Sequence, residues 1–312
     1  MTPSVPAIET RALTKAYGRH PALSDVELRI EEGSIFGLIG PNGAGKTTTM
    51  RLLLDIIRPT SGEVSVLGMN PRAGGARLRN AIGYLPGELR LNTRANAREF
   101  LRHLQRISGP VEPGTVERLA ERLNLDLGRP VRSLSKGNKQ KVGLIQAFMH
   151  QPRLLILDEP TSGLDPLVQQ EFLSMVREAQ QNGQTVFLSS HVLREIEQAA
   201  NHVGILRAGV MVAVSTVEAL RRRARQHLRI GVLTSEQEAL HSTLARVPGL
   251  SVENTTPDPV RHDIVQVDAR LDGAVDDLVR ALAQHSIADL VIDQPDLEES
   301  VLGYYTGEEI GS

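Results

Sequence analysis

Eight consecutive residues, Gly40, Pro41, Asn42, Gly43, Ala44, Gly45, Lys46 and Thr47, follow the pattern G-x-x-x-x-G-K-[ST] that cradles nucleotide phosphates. Glycines let the backbone curl so that its amides face inward. The N-terminus of the following helix adds partial positive charge, and the Lys46 ammonium neutralises β- and γ-phosphates. Thr47 offers a hydroxyl to Mg²⁺, with Thr48 beside it as a further phosphate donor. A glycine-rich turn without a ligand is the plain alternative. The pattern, however, lies between the apolar run Ile35–Ile39 and a helical stretch, which is the context phosphate binding requires.

A second apolar run, Leu154 to Leu157, ends in Asp158 and Glu159. Buried strands seldom finish in two carboxylates without a polar task. Asp158 is suited to hold Mg²⁺ through water, and Glu159 to polarise the water that attacks a γ-phosphate. For the pair alone, an acidic helix cap is the alternative. Tyr17 and His191 carry little signal singly, the first reading as a half-buried strand residue and the second as a cap or surface group. Ser135 precedes Val142, Ile145, Phe148 and Met149 at helical spacing and is predicted to be an N-cap. Lys136, Lys139 and Lys141 then crowd the first turns of that helix, where its dipole disfavours cations and a phosphate anion would offset the cost. A solvated basic face is the alternative for Lys139 and Lys141.

Positioning these groups requires alternating strands and helices. Strand-like runs at Ile8 to Leu13 and Val26 to Ile30 precede Ile35–Ile39, and a helical pattern runs from Lys46 to Ile57. Apolar runs at Leu154 to Leu157 and Val186 to Leu188 are each followed by a helical stretch, which predicts an α/β core with a mixed, mainly parallel sheet. Between them lies a helix-rich insertion, about 94–150, read as a helical subdomain. After the strand pair at 203–206 and 210–214, a helix carries Arg221, Arg222, Arg223 and Arg225, and a domain boundary is expected near residue 225. Residues 226–312 then read βαββαβ, a small ferredoxin-like α+β module.

The 312 residues allow two domains, and 40% hydrophobic with 23% charged residues is the balance of a chain that buries a core. A net charge of -2 gives no global attraction to nucleic acid. With no cysteine, disulfides and thiol chemistry are excluded. No apolar run reaches the roughly 18 residues that would suggest a membrane-spanning helix, and the N-terminus does not read as a signal peptide.

Together these motifs resemble the ATP-binding cassette (ABC) family, over about residues 6 to 225. The family's segment after the carboxylate pair appears as Ser162-Gly163-Leu164-Asp165, its switch histidine as His191, and its adenine-stacking aromatic as Tyr17. Its signature is similar to Leu134-Ser135-Lys136-Gly137-Asn138, with two positions departing from the usual Leu-Ser-Gly-Gly-Gln. The family's glutamine after the strand ending Tyr84-Leu85-Pro86 is replaced by Gly87, with Glu88 as a candidate substitute. The signature, the Tyr-Leu-Pro-Gly loop, and the closing segments Asp296 to Ser300 and Tyr304-Tyr305 resemble bacterial exporters whose ATPase and permease are separate chains. The resemblance implies a P-loop NTPase cassette that binds ATP and Mg²⁺ and hydrolyses ATP with Lys46, Glu159 and His191. It further implies a homodimer, since Ser135 and Gly137 would touch the γ-phosphate held by the opposite subunit. The partner would be a separate integral-membrane permease, and the location cytoplasmic at the inner face of the cell membrane. The rival is a soluble cassette protein acting on the ribosome or DNA. Such proteins usually carry two cassettes, a coiled-coil insertion or a strongly basic extension, and none is visible in this sequence.

Overall fold

The computed structural model describes residues 5–223, 226–272 and 275–293. The chain divides between Val217 and Glu218 into two compact units.

The first unit opens with β1 (Ile8–Tyr17) and β2 (His20–Ile30), which pair antiparallel. After β3 (Ile35–Ile39) and α1 (Lys46–Leu53), β4 (Ser61–Val66) returns to pair antiparallel with β1, giving a sheet of order β2-β1-β4. Then come α2 (Pro71–Asn80), β5 (Ile82–Leu85), α3 (Ala97–Ser108), α4 (Thr115–Arg122) and α5 (Lys136–Phe148). The core resumes with β6 (Leu154–Asp158), α6 (Pro166–Gln181), β7 (Thr185–Ser190), α7 (Leu193–Ala199), β8 (His202–Arg207) and β9 (Val210–Thr216).

Six strands form the main sheet in the order β5-β6-β7-β3-β8-β9, with every neighbouring pair parallel except β8 and β9. The sheet is mixed and mainly parallel, as expected. All five residues of β3 and of β6 are buried, the pattern of strands covered on both faces. Phe36, Leu38, Met50, Leu53, Ile156 and Phe187 belong to the core beneath the phosphate-loop region. The helix expected to reach Ile57 stops at Leu53, because the chain turns through Asp55 at φ 54°. The antiparallel sheet formed with β4 and the helix α2 were not anticipated.

The insertion is helical: α3, α4 and α5 lie within it. A capping box, Asn96 with Glu99, starts α3. The Arg122 guanidinium on α4 reaches Glu178 on α6 through two bonds of 2.6 and 2.7 Å, tying the insertion to the core. That pairing holds the Glu178 carboxyl below its usual range.

The second unit comprises α8 (Val217–Arg223), which starts at the division, then β10 (Gln226–Leu233), α9 (Gln237–Leu244), β11 (Leu250–Pro257), β12 (Ile264–Leu271), α10 (Val275–Leu282) and β13 (Ile287–Ile292). Its antiparallel sheet has the order β11-β12-β10-β13, the ferredoxin-like arrangement. Leu228, Ile230, Val232, Leu240, Leu244, Val267 and Leu278 form its core. The division falls earlier than the expected residue 225, because the helix carrying the arginines is part of the second unit rather than the end of the first. Arg225 and the closing segments 296–300 and 304–305 lie outside the described residues.

Candidate functional site

The parallel strands bring their carboxyl ends to one edge. Pairing in register sets Asp158 of β6 beside Ser189 of β7, and Ser190 beside Ile39 of β3, so the phosphate loop and the carboxylate pair emerge at one level. Ligands bind at such edges in open α/β sheets. The loop leaves β3 at Gly40 and enters α1 through Gly45, whose φ of 109° is a left-handed backbone that favours glycine. A Cβ at Gly45 would also meet Ala22 O at 2.8 Å, so this turn admits no side chain.

A cavity of about 570 Å³ is lined by Pro41, Asn42, Gly43, Ala44, Gly45, Lys46, Thr47 and Thr48, together with Asp158, Glu159 and His191. Arg51, Gly87, Glu88, Lys136 and Ser162 complete much of its wall. Lys46 is only 6% exposed, and its ammonium donates to Gly40 O at 2.6 Å and Pro41 O at 3.3 Å, with Glu159 Oε1 at 3.4 Å. Thr47 Oγ1 donates to Asp158 Oδ2 at 2.7 Å, and Ser189 Oγ donates to Asp158 Oδ1 at 2.6 Å. Asp158 is fully buried. His191 Nδ1 stands 2.6 Å from Glu159 Oε2, so the carboxylate is held between the imidazole and Lys46. Burial keeps the nearby Tyr84 phenol protonated above its usual range, and the Asp158 charge adds to this.

Glu159 has a left-handed backbone, φ 49°, ahead of Pro160. A non-glycine residue there costs on the order of 1–3 kcal/mol and persists only where its surroundings enforce it. Such strain at a cavity wall belongs with a carboxylate that must point one way.

Other expected residues lie outside the cavity lining. Tyr17 ends β1, 48% exposed, with Lys15 Nζ 5.0 Å from its ring centroid, which leaves ring surface open for stacking. Ser135 is the N-cap of α5, its hydroxyl oxygen accepting from Asn138 N at 3.2 Å while its own proton remains available to donate. Gly137 packs so closely that a Cβ would meet Gly163 O at 2.4 Å. Of the three lysines in the first turns of α5, Lys136 belongs to the cavity wall and donates to Ser162 Oγ at 3.1 Å. Lys141 is buried, and its ammonium reaches Asn124 O at 3.4 Å, just beyond the C-terminus of α4. The basic-face alternative therefore fails for Lys141, whose charge meets a helix end of favourable sign.

Glu88 lines the cavity, yet its carboxylate pairs with Arg90 at 2.9 Å and is 75% exposed. At Gly87 a Cβ would stand 3.0 Å from Asp158 Oδ2, so glycine fits where a larger residue would crowd that carboxylate. Ser189 and Gln140 were not anticipated. Ser189 accepts Glu159 N–H at 3.1 Å, and Gln140 donates to Glu159 O and Pro160 O, each at 3.1 Å.

Residues 23–162 match the ABC transporter family. The chain is 36% identical over 224 residues to the bacitracin transport ATP-binding protein BcrA of Bacillus licheniformis, covering 71% of this chain and 73% of that protein. It is 32% identical over 311 residues to the daunorubicin resistance ATP-binding protein DrrA3 of Streptomyces coeruleorubidus, covering 97% and 96%. Among solved structures, an ATP-binding subunit of an ABC transporter superposes with a TM-score of 0.64 at 31% identity, over 70% of this chain and 92% of that one. A dimeric cassette bound to ADP and phosphate shares the fold, with a TM-score of 0.62 at 21% identity over 67% and 98%.

Proposed function

The chain belongs to the ABC transporter family as an ATP-binding, ATP-hydrolysing subunit, and from that premise we propose that a homodimer of it powers export through a separate membrane-embedded permease. The observation that carries this reading is the convergence of Lys46, Thr47, Asp158, Glu159 and His191 on one cavity. Loop amides and Lys46 hold the β- and γ-phosphates, and Tyr17 stacks on adenine. As phosphate takes over the ammonium, Glu159 is freed from Lys46 and polarises the attacking water, with His191 holding its other oxygen.

Thr47 and Asp158 are hard oxygen donors 2.7 Å apart at the phosphate end of the cavity, and they fit Mg²⁺. When bound there, Mg²⁺ would neutralise charge on the phosphate oxygens. Glu88 lines the same cavity with its carboxylate on Arg90, and the shell is assigned to Thr47 and Asp158.

One chain carries one phosphate loop and one signature, so Ser135 and Gly137 serve the nucleotide held by the other copy. One relative is named for bacitracin transport and another for daunorubicin resistance, which supports drug or antibiotic export as the transport class. Among the described residues no helix is long and apolar enough to cross a membrane. In this reading the permease supplies the pathway, and the subunit works at the cytoplasmic face of the membrane. No observation favours the ribosome or DNA alternative. The unit after Val217 serves dimerisation or regulation, since the phosphate loop, carboxylate pair and signature all precede it.

Glu159→Gln tests this reading. It should keep ATP affinity, lower turnover by roughly 10²- to 10⁴-fold, and accumulate an ATP-bound dimer on size exclusion. A monomer with near-normal phosphate release would overturn both the base and the two-copy site.

A further inference from the structure

The backbone of Glu159 is gripped from both sides by buried side chains of two different elements. On its amino side Ser189, at the end of β7, accepts Glu159 N–H at 3.1 Å. On its carboxyl side the Gln140 amide donates to Glu159 O and to Pro160 O, both at 3.1 Å. A primary amide has two N–H protons, and here each meets one of two successive carbonyls. That pair of bonds fixes the peptide between Glu159 and Pro160, and with it the direction in which the left-handed Glu159 Cα presents its side chain. Gln140 is 3% exposed and does not line the phosphate cavity, so it reaches the chemistry only through Glu159.

We propose that Gln140 is a positioning residue for the catalytic carboxylate, tying the signature helix of each chain to the general base of that same chain. The proposal rests on Glu159 being the base. Gln140 lies on α5, the helix capped by Ser135. The start of α5 serves the nucleotide of the opposite copy, while Gln140 sets Glu159 in its own chain. When the N-terminus of α5 engages phosphate across the dimer, the same rigid helix adjusts the base for the other nucleotide. The two sites are thereby coupled through one element in each subunit.

The test uses the full-length protein with Gln140→Leu and, as a flexible alternative of similar volume, Gln140→Met, beside Glu159→Gln. Both Gln140 variants lose the two donors. Turnover should fall roughly 10- to 100-fold, the scale of a misplaced catalytic group, while ATP affinity stays unchanged. In a Glu159→Gln background either variant should still form the ATP-dependent dimer and should not lower residual single-turnover hydrolysis further, because both changes act on one group. A structural role alone would cut affinity and residual turnover in that background too. Wild-type turnover in both Gln140 variants, with Glu159→Gln inactive, overturns the proposal. Loss of ATP-dependent dimerisation overturns it as well, since Gln140 would then only present the signature. If Glu159→Gln itself turns over normally, the general-base reading fails, and that arm identifies the failure separately.

Discussion

Both units of the chain set helices against a sheet, but among the described residues the first is the one that gathers polar groups from neighbouring parallel strands at a single edge. In the first, neighbouring strands run parallel, and the buried ends of β6 and β7 bring Asp158, Ser189 and Ser190 together. In the second, each hydrogen-bonded pair among the described strands is antiparallel, so neighbouring strands end at opposite edges. Its interior is apolar, and a strand charge such as Arg229 is met across the pair by Asp268 at 3.1 Å. Among the described residues its one buried acid, Asp258, accepts from Val260 N and Arg261 N and from the Gln266 amide, and so closes a turn. Strand direction, more than composition, decides which unit can hold a phosphate.

The two units should respond most differently to a change at Lys46. Lys46→Ala removes a charge that serves ground state and transition state alike, so ATP affinity and turnover should fall together, turnover by roughly 10²- to 10³-fold. Equilibrium binding and phosphate release measure the two, and loss of turnover with full affinity would contradict the assignment. Thr47→Ala should act more narrowly, raising the Mg²⁺ concentration for half-maximal turnover by roughly tenfold. An unmoved Mg²⁺ titration takes Thr47 out of the metal shell.

Ending the chain at Val217 should have less effect on the site. A truncated protein with a native circular dichroism spectrum is expected to bind ATP with unchanged affinity, and to lose turnover only on dilution, as a weakened dimer would. If it binds no ATP even when concentrated, the second unit must complete the site.

Acid should separate the units most gently. Burial lowers the pKa of His150, at the end of α5, below the ordinary 6.5, so the stability it contributes is present above 6.5 and declines as pH falls below that value. Backbone amides hold the Asp258 carboxyl down to about 2 from 3.8, so its contribution to the second unit persists until pH falls below 3.8 and is gone near 2. Hydrogen exchange across pH should therefore show the first unit loosening at milder acidity. The reverse order would refute this account.

The phosphate loop and carboxylate pair were legible because their chemistry is written in consecutive residues, and the ferredoxin-like order followed from apolar periodicity. Ser189 escaped because its role arises from register with Asp158 across two strands, while Gln140 reads as one more polar residue on a helix. The strand β4 escaped because five of its six residues are not buried, and α2 because Pro71 and Leu78 are its only buried positions. The boundary was misplaced by eight residues because the arginine run marks a change of composition, whereas the division follows packing.

The strand order also bears on how the protein is made. The phosphate-loop strand β3 finds its hydrogen-bonding neighbours in β7, where Ile35 meets Val186, and in β8, where Phe36 meets His202. Both partners are synthesised long after β3, and pairings so distant in sequence carry the loop-closure cost that slows folding. The phosphate-loop residues therefore leave the ribosome early, and β3 waits unpaired until β7 and then β8 have emerged. Nascent chains should gain nucleotide affinity in one late step, and until then the apolar β3 depends on local collapse or chaperones to avoid aggregation.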